Sequence, residues 1–130
     1  MASLFTKIVQ GEIPCHKIAE DQDHLAFLDI QPLVRGHVLV IPKKEVDYIF
    51  DMESKDLAAL MRFAQKVAKG MKLALPCKKI GVSVVGLEVL HTHIHLIPMN
   101  AVADMDFSKP KLKLEHSELE EIARKISGEI

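Results

Sequence analysis

Seven histidines occur in this 130-residue chain, and three fall within five positions, in His91-Thr92-His93-Ile94-His95-Leu96-Ile97. Successive side chains on an extended strand point to opposite faces, so this spacing predicts His91, His93 and His95 in a row on one face. Thr92, Ile94 and Leu96 then point the other way, into a core. A lone strand histidine is commonly a satisfied structural residue. Three at period two, with nothing apolar between them, are not explained by packing.

Two chemistries suit such a row. The first is metal binding, because neighbouring positions on that face lie ~6.6 Å apart at the backbone and could share an ion. His91 and His95 stand ~13 Å apart, too far for both to bind it, so other ligands would be needed. Glu88 is the nearby candidate. The second is catalysis at phosphorus. Imidazole has an unperturbed pKa of about 6.5 and serves near neutral pH as nucleophile, acid or hydrogen-bond donor. In-line displacement needs a neutral nucleophile, donors around the equatorial oxygens and a proton for the leaving group. A histidine row supplies all three without a metal.

The elements that must position this row are legible as patterns. Phe5, Ile8 and Val9 have the spacing of a short helix, ended by Gly11 and Pro14. Short strands are expected around Ile18, over Leu25 to Ile30, and over His37 to Pro42, the last following the Arg35-Gly36 turn. Ser54 reads as the N-cap of a long helix. Its apolar stripe is Leu57, Leu60, Met61, Ala64, Val67, Ala68 and Met71, and it ends near Pro76. Lys55, Arg62, Lys66 and Lys69 lie off the stripe, as a solvated face. Further strands are expected over Ile80 to Val85 and Leu90 to Met99. Residues 100–114 read as an arm. A last helix follows, with capping-box spacing from Ser117 and a stripe of Leu119, Ile122, Ala123 and Ile126. The sum is one α+β domain over residues 1–130, a largely antiparallel sheet with a long central helix and a C-terminal helix.

Composition excludes several classes. Lys and Arg number 17 against 18 Asp and Glu, a net charge of −1, so no broad field recruits nucleic acid or anionic lipid. Cys15 and Cys77 form no paired motif, which fits a reducing compartment better than a disulfide framework. No apolar run approaches the ~20 residues of a membrane span, and the N-terminus lacks a signal-peptide core. A cytoplasmic location is the expectation.

Four ordered segments resemble the histidine triad family. They are Phe5-Thr6-Lys7-Ile8-Val9-Gln10-Gly11-Glu12-Ile13-Pro14, Phe27-Leu28-Asp29-Ile30-Gln31-Pro32, Gly36-His37-Val38-Leu39-Val40-Ile41-Pro42-Lys43 and the triad run itself. The likeness covers about residues 4–99 and is closest to the bacterial, Hint-like branch; residues 100–130 lie outside it as an arm and helix. A triad ending in His95 rather than Gln argues against the uridylyltransferase branch. The resemblance implies an antiparallel sheet with helices, paired as a homodimer, that binds a purine (AMP-containing) nucleotide. It implies hydrolysis or transfer at the α-phosphate of nucleoside phosphoramidates or related anhydrides, without a cofactor. Within the same class, dinucleoside polyphosphates are the alternative substrate. A nucleotide-binding regulatory protein with little catalysis is the alternative from another class.

The same resemblance implies roles for particular residues. His93 matches the nucleophile, His95 the residue that contacts phosphate and helps protonate the leaving group, His91 the support for the nucleophile, and His37 a further member of the network. Asp29 matches the carboxylate that takes the ribose hydroxyls. Phe5, Ile8, Phe27 and Ile30 match apolar walls around the base, and Gly86, Leu87 and Glu88 match the phosphate-side loop. Glu88 there replaces a common Ser or Thr, Leu87 a common Gln, and Ile80 an Asn or Gln that helps hold the ligand. Ser3 and Thr6 stand where some bacterial relatives carry a cysteine pair for zinc, so no metal is expected.

Overall fold

The computed structural model describes residues 2–130. Helix α1 spans Leu4–Val9, followed by strands β1 (Lys17–Glu20), β2 (His24–Leu28) and β3 (Val38–Pro42). The long helix α2 covers Ser54–Ala74, then come β4 (Lys79–Ser83), β5 (Ile94–Met99) and helix α3 (His116–Ser127). The strands form one sheet in the order β1-β2-β3-β5-β4, with every neighbouring pair antiparallel. The α+β architecture expected from the patterning is therefore the one observed.

The two faces of the sheet bury different things. Ile18, Ala26, Leu28, Val38, Val40, Ile94 and Leu96 face α2 and α3, meeting Leu60, Phe63, Ala64, Val67 and Met71 of the first and Leu119, Ile122, Ala123 and Ile126 of the second. That is the main core. On the other face Leu25, Phe27, Leu39 and Ile41 close around Phe5 of α1, with Ile8 and Val9 at the margin. Strand alternation assigns His37 and His95 to this second face, because Val38 and Leu96 occupy the first. Val38 pairs with Leu96 and Leu39 with His95.

Several local expectations are corrected. Glu53, not Ser54, is the N-cap of α2, and its carbonyl accepts from Asp56 and Leu57. Met61 lies at 42% exposure while Phe63, outside the expected stripe, is buried. The burial arc of α2 is simply rotated toward Phe63, which stacks on His24. Helix α3 begins one residue before Ser117, with Glu115 as its N-cap, whose N–H donates to the Glu118 carboxylate at 3.4 Å. β2 and β4 stop short of Ile30 and Val85.

The larger correction concerns β5, which begins at Ile94 and leaves His91, Thr92 and His93 outside the ladder. β3 runs on to Pro42 but pairs with β5 no further along than Val40 with Ile94, so the preceding residues lie outside the ladder. Other groups take over their backbone: Thr92 N–H donates to the Val46 carbonyl at 2.6 Å, and its hydroxyl donates to the Asp47 carbonyl at 3.3 Å. The alternation of faces nevertheless survives, with Ile94 and Leu96 in the main core. No helix among the described residues is long and apolar enough to cross a membrane.

Candidate functional site

The site forms where β3 enters and β5 begins. Gly36 turns the chain into β3 with φ at +87°, a conformation glycine adopts freely, and a Cβ there would collide with Leu75. That turn delivers His37, 1% exposed, to the second face of the sheet. Leu33 N–H donates to His37 Nδ1 at 3.1 Å, so the neutral ring carries its proton on Nε2. His37 Nε2–H in turn donates to His95 Nδ1 at 2.9 Å. His95 is thereby left with its own proton on Nε2. One backbone amide sets the tautomer of two rings.

His93 is set independently. Its Nδ1–H donates to the His91 carbonyl at 2.7 Å, so the lone pair sits on Nε2. Among the described residues no hydrogen bond uses Nε2 of His93 or of His95. Because no buried side-chain nitrogen among the described residues lacks a partner, both of these atoms reach solvent. The two rings stand edge to face with centroids 4.9 Å apart. A lone pair and an N–H donor therefore open side by side on one surface. His91, fully buried, donates from Nε2 to the Pro42 carbonyl at 2.8 Å.

The electrostatics keep His37, His93 and His95 neutral. Burial, then the neighbouring His95 and the Lys111 ammonium, push His37 down to about 3. Burial, then His93 and Lys111, push His95 to about 4. His93 is lowered as well, mainly by burial, against the opposing pull of the His91 carbonyl. Asp29 moves the other way: loss of water raises its pKa, while the Gln31 amide and Lys111 oppose the rise. Its Oδ1 accepts from Gln31 N–H at 2.8 Å and its Oδ2 lies 3.8 Å from His37 Nε2.

Asp29, His37 and His95 each offer a ligand atom, all within 4.8 Å of one another. Their chemistry nonetheless fits a metal poorly, because Leu33 N–H already occupies His37 Nδ1 and the shared proton occupies Nε2. His37 and His95 form a hydrogen-bonded pair, with Asp29 beside them at 3.8 Å, outside hydrogen-bond reach.

Most residues picked out from the sequence converge here. Phe5 presents its ring to Phe27, His91 and His93, at centroid distances of 5.6, 5.9 and 4.9 Å. Ile8 packs beside it. Ile30 follows Asp29 and is 65% exposed, an apolar side chain left in water. Gly86 has φ at +67° with open space where a Cβ would stand. Leu87 is 83% exposed and Glu88 is exposed, and neither bonds to the histidines. Ile80 is a correction: it pairs with Pro98, packs against the main core and so faces the helices rather than the site. The β4 residue opposite His95 is Ser83.

The sequence reading passed over others. Phe107, on the arm after β5, sets its ring edge against His95 at 4.9 Å and lies 6.4 Å from His37. Lys111 holds the arm by donating to the Phe107 carbonyl at 2.8 Å, and Leu112 N–H docks on the Pro32 carbonyl at 2.8 Å. A single aromatic in an irregular, charged stretch carries no periodicity that would have singled it out. Glu45 was missed for the same reason. Ser3 and Thr6, expected only as absent zinc ligands, hydrogen-bond to Glu45 and to His91.

Comparison with known proteins bears on this arrangement. The HIT domain model matches residues 10–102. An adenosine 5′-monophosphoramidase of Schizosaccharomyces pombe is 33% identical, with the match spanning 100% of this chain and 99% of that one. One from Saccharomyces cerevisiae is 40% identical over 75% of this chain and 62% of its own. The solved structure of a HIT-like protein from Bartonella henselae superposes with a TM-score of 0.85 at 33% identity, covering 98% of this chain and 96% of that one. With its three alternating histidines, its antiparallel sheet and a family match over most of its length, this chain belongs to the HIT family.

Proposed function

We propose that the protein is a nucleotide hydrolase or transferase that cleaves at the α-phosphate through a covalent intermediate on His93. The observation that carries this reading is the pairing of two open ring nitrogens, a lone pair on His93 Nε2 and a donor on His95 Nε2. The names of the yeast relatives point to adenosine 5′-phosphoramidates as the substrate class.

The chemistry follows from the tautomers. His93 Nε2 attacks phosphorus and forms an N–P bond while the bond to the leaving group breaks and its electron pair departs with that group. The ring becomes cationic, and its Nδ1–H, already directed at the His91 carbonyl, delivers positive charge to an acceptor. A bound phosphate places negative charge beside His95 and raises its pKa, so His95 takes up a proton at Nδ1 as substrate binds, with His37 turning its Nε2 from donor to acceptor by moving its own proton to Nδ1 and giving up the Leu33 bond. The Nε2 proton of His95 passes to the leaving group. Water then attacks phosphorus, returns a proton to His95, breaks the N–P bond and releases the nucleoside monophosphate. Asp29 accepts the ribose hydroxyls, and Phe5, Ile8, Phe27 and Ile30 line the base. Gly86 gives the phosphate access to backbone amides, with Leu87 and Glu88 beside it. Glu88 is exposed and free to point away from the anion.

A homodimer is part of the same proposal. β4 is an edge strand, and Val82, Val84 and Val85 on and after it are 54%, 38% and 45% exposed, a surface that favours pairing. Sedimentation at equilibrium would report one mass or two.

The test of function is hydrolysis of an adenosine 5′-phosphoramidate reporter in the presence of chelator, with wild type beside His93→Ala. Activity that disappears in the variant supports the proposal. AMP binding with no turnover of any α-phosphate substrate would instead indicate a nucleotide-binding regulatory protein.

A further inference from the structure

His91 is tied to the N-terminal segment through a chain of hydrogen bonds. Glu45 Oε1 accepts from Ser3 N–H at 2.7 Å and from the Thr6 hydroxyl at 2.6 Å. The Thr6 hydroxyl first, then the Ser3 amide and the nearby Ser3 hydroxyl, hold the Glu45 carboxyl down to about 2, so it stays a carboxylate, an acceptor only. Thr6 Oγ1 also lies 3.4 Å from His91 Nδ1, and its proton goes to the shorter, charged contact with Glu45. Ser3 is the N-cap of α1, and its hydroxyl oxygen accepts from Thr6 N–H at 3.0 Å. Its single proton has two acceptors in reach, His91 Nδ1 at 2.8 Å and Thr6 Oγ1 at 3.2 Å. Because the Pro42 carbonyl can only accept, His91 carries its proton on Nε2 and exposes the Nδ1 lone pair to Ser3. The shorter contact and the unfilled lone pair coincide.

His91 and His93 lie ahead of β5 and so have no ladder bonds of their own. Yet the His91 carbonyl is the group that fixes the His93 tautomer. Something other than ladder bonds must hold His91 still, and both of its ring nitrogens are held. One bond goes to the end of β3 and the other, through Ser3 and Thr6, to Glu45 just beyond that strand. We propose that Ser3, Thr6 and Glu45 are positioning residues for the reaction, locking His91 so that its carbonyl orients His93 for attack. This rests on the reading of His93 as the nucleophile. The structural alternative is that Ser3 merely caps α1.

Glycine separates the two, since it is tolerated at an N-cap but has no hydroxyl to donate. With the phosphoramidate reporter, Ser3→Gly is expected to lower kcat roughly tenfold, the scale of one lost hydrogen bond, with KM changed by less than about twofold. Ser3→Thr keeps both cap and donor and restores kcat. Glu45→Gln keeps an acceptor for Thr6 and loses less than Glu45→Ala. In the unliganded protein, nitrogen NMR should show the His91 Nδ1 signal moved in Ser3→Gly and the His93 Nδ1 proton exchanging faster. Unchanged kcat in a folded Ser3→Gly protein overturns the proposal, as does a Ser3→Thr protein no better than Ser3→Gly. The NMR readout needs no turnover. If His93→Ala stayed active the catalytic reading would fall, whereas unchanged imidazole signals in Ser3→Gly would overturn the positioning role by itself.

Discussion

At the His91 end of the row, one ring nitrogen meets a carbonyl and the other a hydroxyl backed by an exposed carboxylate. At the His95 end, the ring meets a second imidazole that a backbone amide has already oriented, and Phe107 covers them. The first end uses fixed polar groups near water. The second uses burial, which lowers both imidazole pKa values and keeps the relay neutral before substrate arrives. The contrast teaches that one motif contains two devices: a clamp that holds geometry and a desolvated relay whose proton inventory changes when an anion binds. Losses at the relay should therefore exceed losses at the clamp.

The largest expected effect lies between the two. Loss of the nucleophile in His93→Ala should cost about 10⁴-fold or more in kcat/KM, read by reporter hydrolysis. His95→Ala, which removes the donor, should cost about 10²-fold in kcat, and an activated leaving group that needs no proton should recover most of it. A loss at Ser3 equal to that at His95 would erase the proposed division.

Acid should separate the two ends further. His37, His93 and His95 have native pKa values below the ordinary 6.5, so the unfolded chain binds more protons and stability falls as pH drops below about 6.5. The loss ends once pH passes the folded values, about 4 and about 3 for His95 and His37. Asp29 has the opposite sign, because its raised pKa costs stability as pH rises through the carboxylate range. The histidines outnumber it, and urea melts between pH 7 and 4 should show a net loss on the order of a few kcal/mol. His37→Asn should flatten that dependence. The depressed His93 pKa also puts the acid limb of the free enzyme's kcat/KM below pH 6.5. The smallest effect is Phe107→Ala, about threefold in kcat/KM, because it removes a covering ring and leaves every hydrogen bond in place.

Much of this was legible beforehand. Alternating apolar residues placed β3 and the core side of β5, and the stripe on α3 was buried as its spacing required. His37, Asp29, Phe5 and the triad were brought together as the motif order implied. What escaped were groups whose partners are remote in sequence. Glu45 meets Ser3 and Thr6 across about forty residues, and Phe107 reaches back to a ring on the preceding strand. Periodicity reports which way a side chain points within its own element, not which loop will fold over it. The strand boundary at Ile94 was missed for a related reason, since the Thr92 amide bonds to the Val46 carbonyl in the loop after β3 rather than to the strand.

Stereochemistry at phosphorus tests the central claim most directly. A P-chiral phosphorothioate version of the reporter, hydrolysed in water enriched in heavy oxygen, records the number of in-line displacements. Attack by His93 followed by attack by water predicts net retention of configuration. Net inversion would mean that water displaces the leaving group in one step, and would contradict the covalent role of His93.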